Sequence, residues 1–296
     1  MSVLRTPQER FFALEGFDFE PHYIEINGVR VHYVDVGSGE IVLCLHGEPT
    51  WSYLYRKMIP SLSAHHRVIA MDFIGFGKSD KFAKQTDYSY RMHRDTLIEF
   101  IRKLELNRIT LVVQDWGGLI GLRVATMMPD CFERLVIMNT GLPTGKEKLP
   151  LALQLWRLFV RLVPSLPIGL IVRSFGTVQP LSKEVIKAYE APFPSRHYKQ
   201  GAKAWPLLIP TNPTSEAALE IKEARRDLSV WHKPTLVMFS DRDPFTRGAD
   251  KFFRRIIPTA KNQPKITIKE AGHFLQEDKG EEIAQQILEF VIRTPR

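Results

Sequence analysis

Ile109-Thr110-Leu111-Val112-Val113-Gln114-Asp115-Trp116-Gly117-Gly118-Leu119-Ile120-Gly121-Leu122 is the stretch from which the rest of the chain can be read. Its first five residues are mostly β-branched or aliphatic, too few for a helix, and predict a buried parallel strand. Gly117 to Met128 then follows helical spacing, with only Gln114, Asp115 and Trp116 in between. A strand therefore enters a helix through a turn of almost no length, with one carboxylate at its apex. The glycines suit such a turn because they let backbone pack closely. Two readings of Asp115 stand side by side: an ordinary helix N-cap, or a nucleophile presented on a tight elbow. Only groups elsewhere in the chain can decide between them.

A chain of 296 residues, 44% of them hydrophobic, has room for one large α/β domain or for a core with an insertion. It contains no repeat and no low-complexity tract. Cys44 and Cys131 do not make a disulfide framework, and Cys44 sits in an apolar strand pattern as a buried thiol. Met1 to Phe17 carries charges where a secretory signal needs an apolar run, so a cytoplasmic, reduced protein is expected. The net charge of +8 is spread among acids and matches no nucleic-acid motif; no nucleic-acid partner is expected.

Outward from the elbow, strands alternate with helices. His22 to Val36 reads as a hairpin about Asn27-Gly28. Ile41 to Leu45 is a buried strand ending in His46-Gly47-Glu48-Pro49-Thr50-Trp51-Ser52, where Thr50 or Ser52 is placed to cap a helix reaching about Ile59. Val68 to Met71 is a further strand. The Gly77-Lys78-Ser79 that follows is no phosphate loop, since position 72 is Asp where that motif needs Gly. Tyr90 to Leu104 is an amphipathic helix, and Arg134 to Met138 a strand.

From about Gly141 to Trp231 no buried strand is evident, and ten of the twenty prolines fall between Pro143 and Pro213. Arg157, Arg161, Pro164, Pro167 and Arg173 interrupt the apolar part, which never reaches the roughly 20 residues of a membrane span. A helical cap over residues 142–230 is predicted, inserted between core segments 1–141 and 231–296. Strand character resumes at Thr235 to Phe239 and Lys265 to Lys269, and a helix near Glu281 to Ile292 closes the chain. The pattern predicts a mostly parallel sheet flanked by helices.

In such a sheet, active groups collect at the carboxyl ends of strands. The His46–Pro49 loop, Asp115, Asp243 and His273 all follow strands, in the chain order nucleophile, acid, histidine. An Asp nucleophile suits attack on saturated carbon. A Ser would give an ether, whereas Asp gives an ester that water can cleave. An Asp side chain is also ionised at neutral pH, so no base is needed until the second step. His273 then deprotonates water, Asp243 orients the imidazole, and the N–H groups of Glu48 and Trp116 form an oxyanion hole.

The segments His46 to Ser52, Gln114-Asp115-Trp116-Gly117-Gly118, Gly272-His273-Phe274-Leu275-Gln276-Glu277-Asp278 and Tyr189-Glu190-Ala191-Pro192-Phe193-Pro194 resemble those of haloalkane dehalogenases, over nearly the whole chain. The resemblance implies an α/β-hydrolase fold with an inserted helical cap. It implies hydrolysis of short haloalkanes to alcohol, halide and a proton, through an ester on Asp115, with no metal or cofactor. It also implies that Trp116 donates its indole N–H to the departing halide. Some relatives use Asn as the second donor, at the position where this chain has Glu48. A cap tryptophan is therefore expected instead, Trp156 by the family pattern and Trp205 as the alternative. Asp243 is the expected acid and Asp241 its runner-up. The expected partners are haloalkane, water and halide, with no membrane, in a monomer or weak homo-oligomer.

Epoxide hydrolase is the nearest rival. It would show His before the nucleophile and two cap tyrosines, and Tyr189 and Tyr198 are present. Haloacid hydrolysis would want an Arg beside Asp115. A non-catalytic relative acting as a binding protein would have no need of the intact Asp115, His273 and Asp243 set.

Overall fold

A computed structural model of the chain describes residues 2–295. The described residues contain ten strands, eight of them where the β-branched and aliphatic runs predict them and two short ones where no strand is expected. In chain order the ten are β1 (Val3–Leu4), β2 (His22–Ile26), β3 (Val29–Val36), β4 (Ile41–Leu45), β5 (Arg67–Met71), β6 (Lys81–Phe82), β7 (Ile109–Gln114), β8 (Phe132–Met138), β9 (Thr235–Ser240) and β10 (Ile266–Ile268). β1 and β6, the two unexpected strands, make a separate antiparallel pair. The other eight form one sheet in the order β10-β9-β8-β7-β4-β5-β3-β2. Only β2 with β3 and β3 with β5 are antiparallel; every other neighbour is parallel. Asn27 and Gly28 take φ of 52° and 75°, the left-handed pair that a two-residue hairpin turn requires.

The helices are α1 (Ile59–Ser63), α2 (Tyr90–Lys103), α3 (Trp116–Met127), α4 (Leu151–Leu162), α5 (Ile168–Ile171), α6 (Lys183–Glu190), α7 (Gln200–Leu208), α8 (Glu216–Leu228), α9 (Ala249–Ile256) and α10 (Leu275–Arg293). α1 packs with α10, and α2, α3 and α8 pack together as flanking layers of the sheet. The result is an α/β-hydrolase fold. Between β8 and β9 the chain is helical throughout apart from loops, running through α4 to α8. Arg157 ties α4 to α7 by donating to the carbonyls of Pro206 and Ile209. Among the described residues, no helix is long and apolar enough to cross a membrane.

From β4 the chain crosses to β5 on one side and later returns to β7 on the other. β4 and β7 are therefore neighbours at the point where the strand order reverses. A crevice opens there at the carboxyl ends of the strands, between the loop after β4 and the turn after β7.

Local expectations fail in three places. No helix reaches Ile59 from Ser52; a 3₁₀ turn, Ser52–Tyr55, stands there, and α1 begins only at Ile59. The proposed caps are engaged in fixing the loop instead. Thr50 donates its hydroxyl to the Gly47 carbonyl at 2.9 Å, and the Ser52 N–H donates to Asp72 at 2.7 Å. α10 starts six residues earlier than its periodicity suggests, at Leu275, and bends at Lys279, whose φ and ψ are −141° and 39°. β10 keeps only Ile266–Ile268. The Gly77-Lys78-Ser79 loop closes on Asp72, whose carboxylate accepts the Lys78 N–H at 2.8 Å. An internal carboxylate thus occupies the place that a phosphate would need.

Candidate active site

Asp115 sits at φ 49° and ψ −119°, a conformation that a non-glycine residue adopts only when its surroundings impose it. They do so from both directions. Its N–H donates to Asn139 O at 3.0 Å, and its carbonyl accepts from Gly118 N at 2.9 Å and Thr140 Oγ1 at 2.6 Å. A Cβ on Gly117 would lie 2.1 Å from the Leu45 carbonyl oxygen, and one on Gly47 would lie 2.4 Å from Asp115 Cβ. Neither position has room for a side chain. The Asp115 side chain makes no capping hydrogen bond to α3, so the helix-cap reading fails on geometry. Instead Oδ1 accepts the backbone N–H of Glu48 at 2.7 Å. The Trp116 N–H, in the first turn of α3, has no intrahelical acceptor and is the second candidate donor.

His273 stands after β10 with Nε2 3.6 Å from Asp115 Oδ2 and Nδ1 3.0 Å from Asp243 Oδ2. Asp243 also accepts the Phe245 N–H at 2.8 Å and the Thr246 hydroxyl. Burial acts to raise its pKa, but His273 and these hydrogen bonds hold the carboxyl below its ordinary range. For His273, burial acts to lower the pKa. The charge of Asp243 and the contacts with Asp115 outweigh it and raise the imidazole to about 10. Asp241 does not reach the imidazole; its carboxyl lies 3.4 Å from the Ala271 N–H.

Two residues that the sequence reading gave no catalytic part hold this arrangement. Gln114, the last residue of β7, places its amide nitrogen 3.2 Å from both Nε2 and the carbonyl of His273. Asn139, just past β8, donates to Ser240 Oγ at 2.8 Å and to the carbonyls of Gly272 and His273 at 3.0 Å. The only sequence signal for either was a polar residue at the end of an otherwise apolar strand.

Asp115, Trp116, Glu48, His273 and Trp156 all line one largely apolar cavity of about 380 Å³. Leu119, Leu142, Leu153 and Ile171 supply much of its apolar wall. The Trp116 side chain is nearly buried and has no protein hydrogen-bond acceptor among the described residues, which leaves its indole N–H for a ligand. Trp205 is a different case. Fully buried and outside the cavity lining, it donates to His93 Nε2 at 2.6 Å and stacks on Trp116, with centroids 5.0 Å apart and planes 19° apart. Burial pushes His93 down to about 3, so its ring is neutral and free to accept that bond.

Glu48 is the unexpected wall residue. Its Oε1 is buried without a hydrogen-bond partner among the described residues, and the Trp156 indole approaches its carboxyl. Burial first, and then the charge of Asp115, push the Glu48 carboxyl well above its ordinary range. Both disfavour the ionised form of Glu48, the form that would repel an anion. His46, in the same loop, is structural: Nδ1 meets Gly47 O at 2.9 Å, and Nε2 accepts the Phe73 N–H at 3.0 Å.

Residues 40–280 match the family model described as alpha/beta hydrolase fold. A curated haloalkane dehalogenase of Psychrobacter cryohalolentis is 47% identical, over 100% of this chain and 100% of its own length. Another, from Mycolicibacterium paratuberculosis, is also 47% identical, over 97% of this chain and 98% of its own. Among solved structures, the haloalkane dehalogenase DpaA of Paraglaciecola agarilytica, described as tetrameric, superposes with a TM-score of 0.90. It is 40% identical and is covered over 97% of both chains.

Proposed function

The chain belongs to the haloalkane dehalogenase family, enzymes that hydrolyse carbon–halogen bonds, and we propose that Asp115 Oδ2 is the atom that displaces the halide. The observation that carries this reading is the placement of the Asp115 carboxylate. One oxygen is engaged by the Glu48 N–H, and the other is beside His273, facing an apolar cavity.

In the first step Oδ2 forms a bond to the substrate carbon as the carbon–halogen bond breaks, and the electron pair leaves with the halide. Trp116 and Trp156 donate indole N–H groups to it. An indole is a neutral donor on an apolar body, which stabilises developing charge without trapping the product. In the second step His273 takes a proton from water, whose oxygen attacks the carboxyl carbon of the ester. The resulting oxyanion sits on Oδ1 between the N–H groups of Glu48 and Trp116. Collapse expels the alkoxide, which leaves as the alcohol with the proton held by His273, and the carboxylic acid left on Asp115 loses its proton to solvent, restoring the carboxylate. Asp243 orients the ring and stabilises its charged form. The two steps are coupled: esterification abolishes the Asp115 charge, one of the causes that raise His273, so the imidazole gives up its proton more readily and is neutral, able to accept one from water, once there is an ester to cleave.

In this reading residues 142–230 are the inserted segment, in which α4 to α7 cap the site and α8 packs back on α2 and α3. Every chemical role in this mechanism is filled by the chain's own side chains and backbone N–H groups, so we infer turnover without metal or cofactor, and a cytoplasmic setting is expected. A homo-oligomer fits better than a monomer, given the tetrameric relative.

The epoxide alternative meets a specific obstacle. Tyr189 is buried and donates its hydroxyl to Glu277, and neither it nor Tyr198 lines the cavity. The test is release of bromide, with one proton per halide, from 1-bromobutane and 1,2-dibromoethane. Epoxide turnover without bromide release would overturn the proposal.

A further inference from the structure

Helix α4, Leu151–Leu162, is apolar on two opposite sides. Leu153, Trp156 and Val160 face the chain's own interior, and the guanidinium of Arg157 is taken up by two backbone carbonyls. The opposite side carries Leu151, Leu155, Leu158 and Leu162, which are 69, 57, 50 and 72% exposed, with Phe159 on its flank. At about 100° per residue these four leucines fall within roughly 60° of arc. Their spacing of four, three and four residues is that of a coiled-coil seam. A helix apolar all round is one that is covered on all sides. Within this chain, half of its circumference is not.

We propose that this stripe is the surface through which two copies of the chain associate, a proposal that rests on the homo-oligomer reading above and names its interface. Antiparallel pairing about a two-fold axis midway along the stripe is self-complementary. Leu155 of one copy meets the partner's Leu158, and Leu151 meets the partner's Leu162. Arg161 falls opposite the partner's Ala152, so no like charges meet. The exposed apolar surface of α4 amounts to roughly 500 Å² per copy, and pairing buries roughly 1,000 Å² in total, the size at which an interface becomes specific. A lipid surface fits less well. A membrane-surface helix sets a Lys- and Arg-rich face against its apolar one, whereas here the other face is packed on protein. Because Leu153 and Trp156 also line the cavity, a partner on the outer side of α4 braces the cavity wall.

The test is light scattering of the full chain at 1–100 μM, comparing wild type with Leu155→Glu/Leu158→Glu and with the milder Leu155→Ser/Leu158→Ser. Circular dichroism and bromide release establish that each variant is folded. The expected result is an oligomeric wild type and variants of half its mass or less, with bromide release retained. Mixing Leu155→Cys with Leu158→Cys under oxidation should link the two chains, beyond any linkage by the unaltered chain. A monomeric wild type at 100 μM would overturn both the homo-oligomer reading and this surface. An oligomeric wild type whose variants keep the same mass would overturn the surface alone. Binding of monomeric wild type to anionic lipid vesicles, lost in the variants, would assign the stripe to a membrane and overturn the proposal.

Discussion

Replacing each of three tryptophans by Phe separates halide donors from packing. Trp116 and Trp156 line the cavity, and in the proposed mechanism each gives one indole N–H to the halide, which Phe cannot do. A hydrogen bond to a charged partner contributes about 1.5–3 kcal/mol, and 1.4 kcal/mol is a factor of ten. Trp116→Phe and Trp156→Phe are therefore expected to weaken bromide binding by about 10- to 100-fold. Trp205 gives its N–H to His93 at 2.6 Å and is outside the cavity. Trp205→Phe leaves His93 Nε2 buried without a donor, a loss of about 1–3 kcal/mol in folding stability, while bromide affinity changes less than about threefold. Titration of intrinsic fluorescence with bromide gives the affinities, and thermal melts give the stabilities. A tenfold affinity loss in Trp205→Phe, with Trp156→Phe unchanged, would refute the assignment of donors.

Other expectations follow from the same geometry. Glu48→Gln supplies an uncharged side chain of the same shape, the form that burial favours, so bromide affinity and turnover at pH 7 should stay within about threefold of wild type; a tenfold loss would mean that the acid itself is required. Asp115→Asn removes one cause that raises His273, so the imidazole should titrate below about 10 by NMR, and an unchanged value would contradict the pairing. The folded-state pKa of His273 is above its unfolded value near 6.5, so its contribution to stability is complete below about pH 6.5 and is lost as pH rises through about 10. In Asp115→Asn the contribution should be smaller and its loss complete at lower pH. Glu277 is buried against Arg56, with Nη2 to Oε2 at 2.9 Å, and also accepts from Tyr189. Glu277→Ala leaves a buried guanidinium unpaired and should cost about 3–5 kcal/mol in denaturant unfolding.

Much of the fold was legible because β-branched runs such as Ile41–Leu45 and Ile109–Gln114 are buried on both faces and allow little else. Asp115 was ambiguous only in isolation. Its strain comes from Gly47, Asn139 and Thr140, none of which is near it in the sequence or linked to it by any periodicity. What the chain did not disclose are choices made by tertiary contact. Thr50 and Ser52 carry the residue types of helix caps, yet a loop claims one hydroxyl and Asp72 the other backbone N–H. The upward shift of the Glu48 carboxyl comes from burial beside Asp115, which its residue type alone does not disclose. Trp156 and Trp205 are alike as letters; the fold puts Trp156 on the cavity wall and Trp205 behind it, bonded to His93. Gln114 and Asn139 act by holding His273, a role that needs the fold to be seen.

The covalent ester is the centre of the account. His273→Phe retains the nucleophile and removes the base, so the first step can proceed and the second cannot. Incubated with 1-bromobutane, this variant should gain the mass of one butyl group per chain, located by peptide mapping on Asp115, with one bromide released per chain and no alcohol. Bromide release with no adduct, or an adduct on any other residue, would contradict the two-step mechanism.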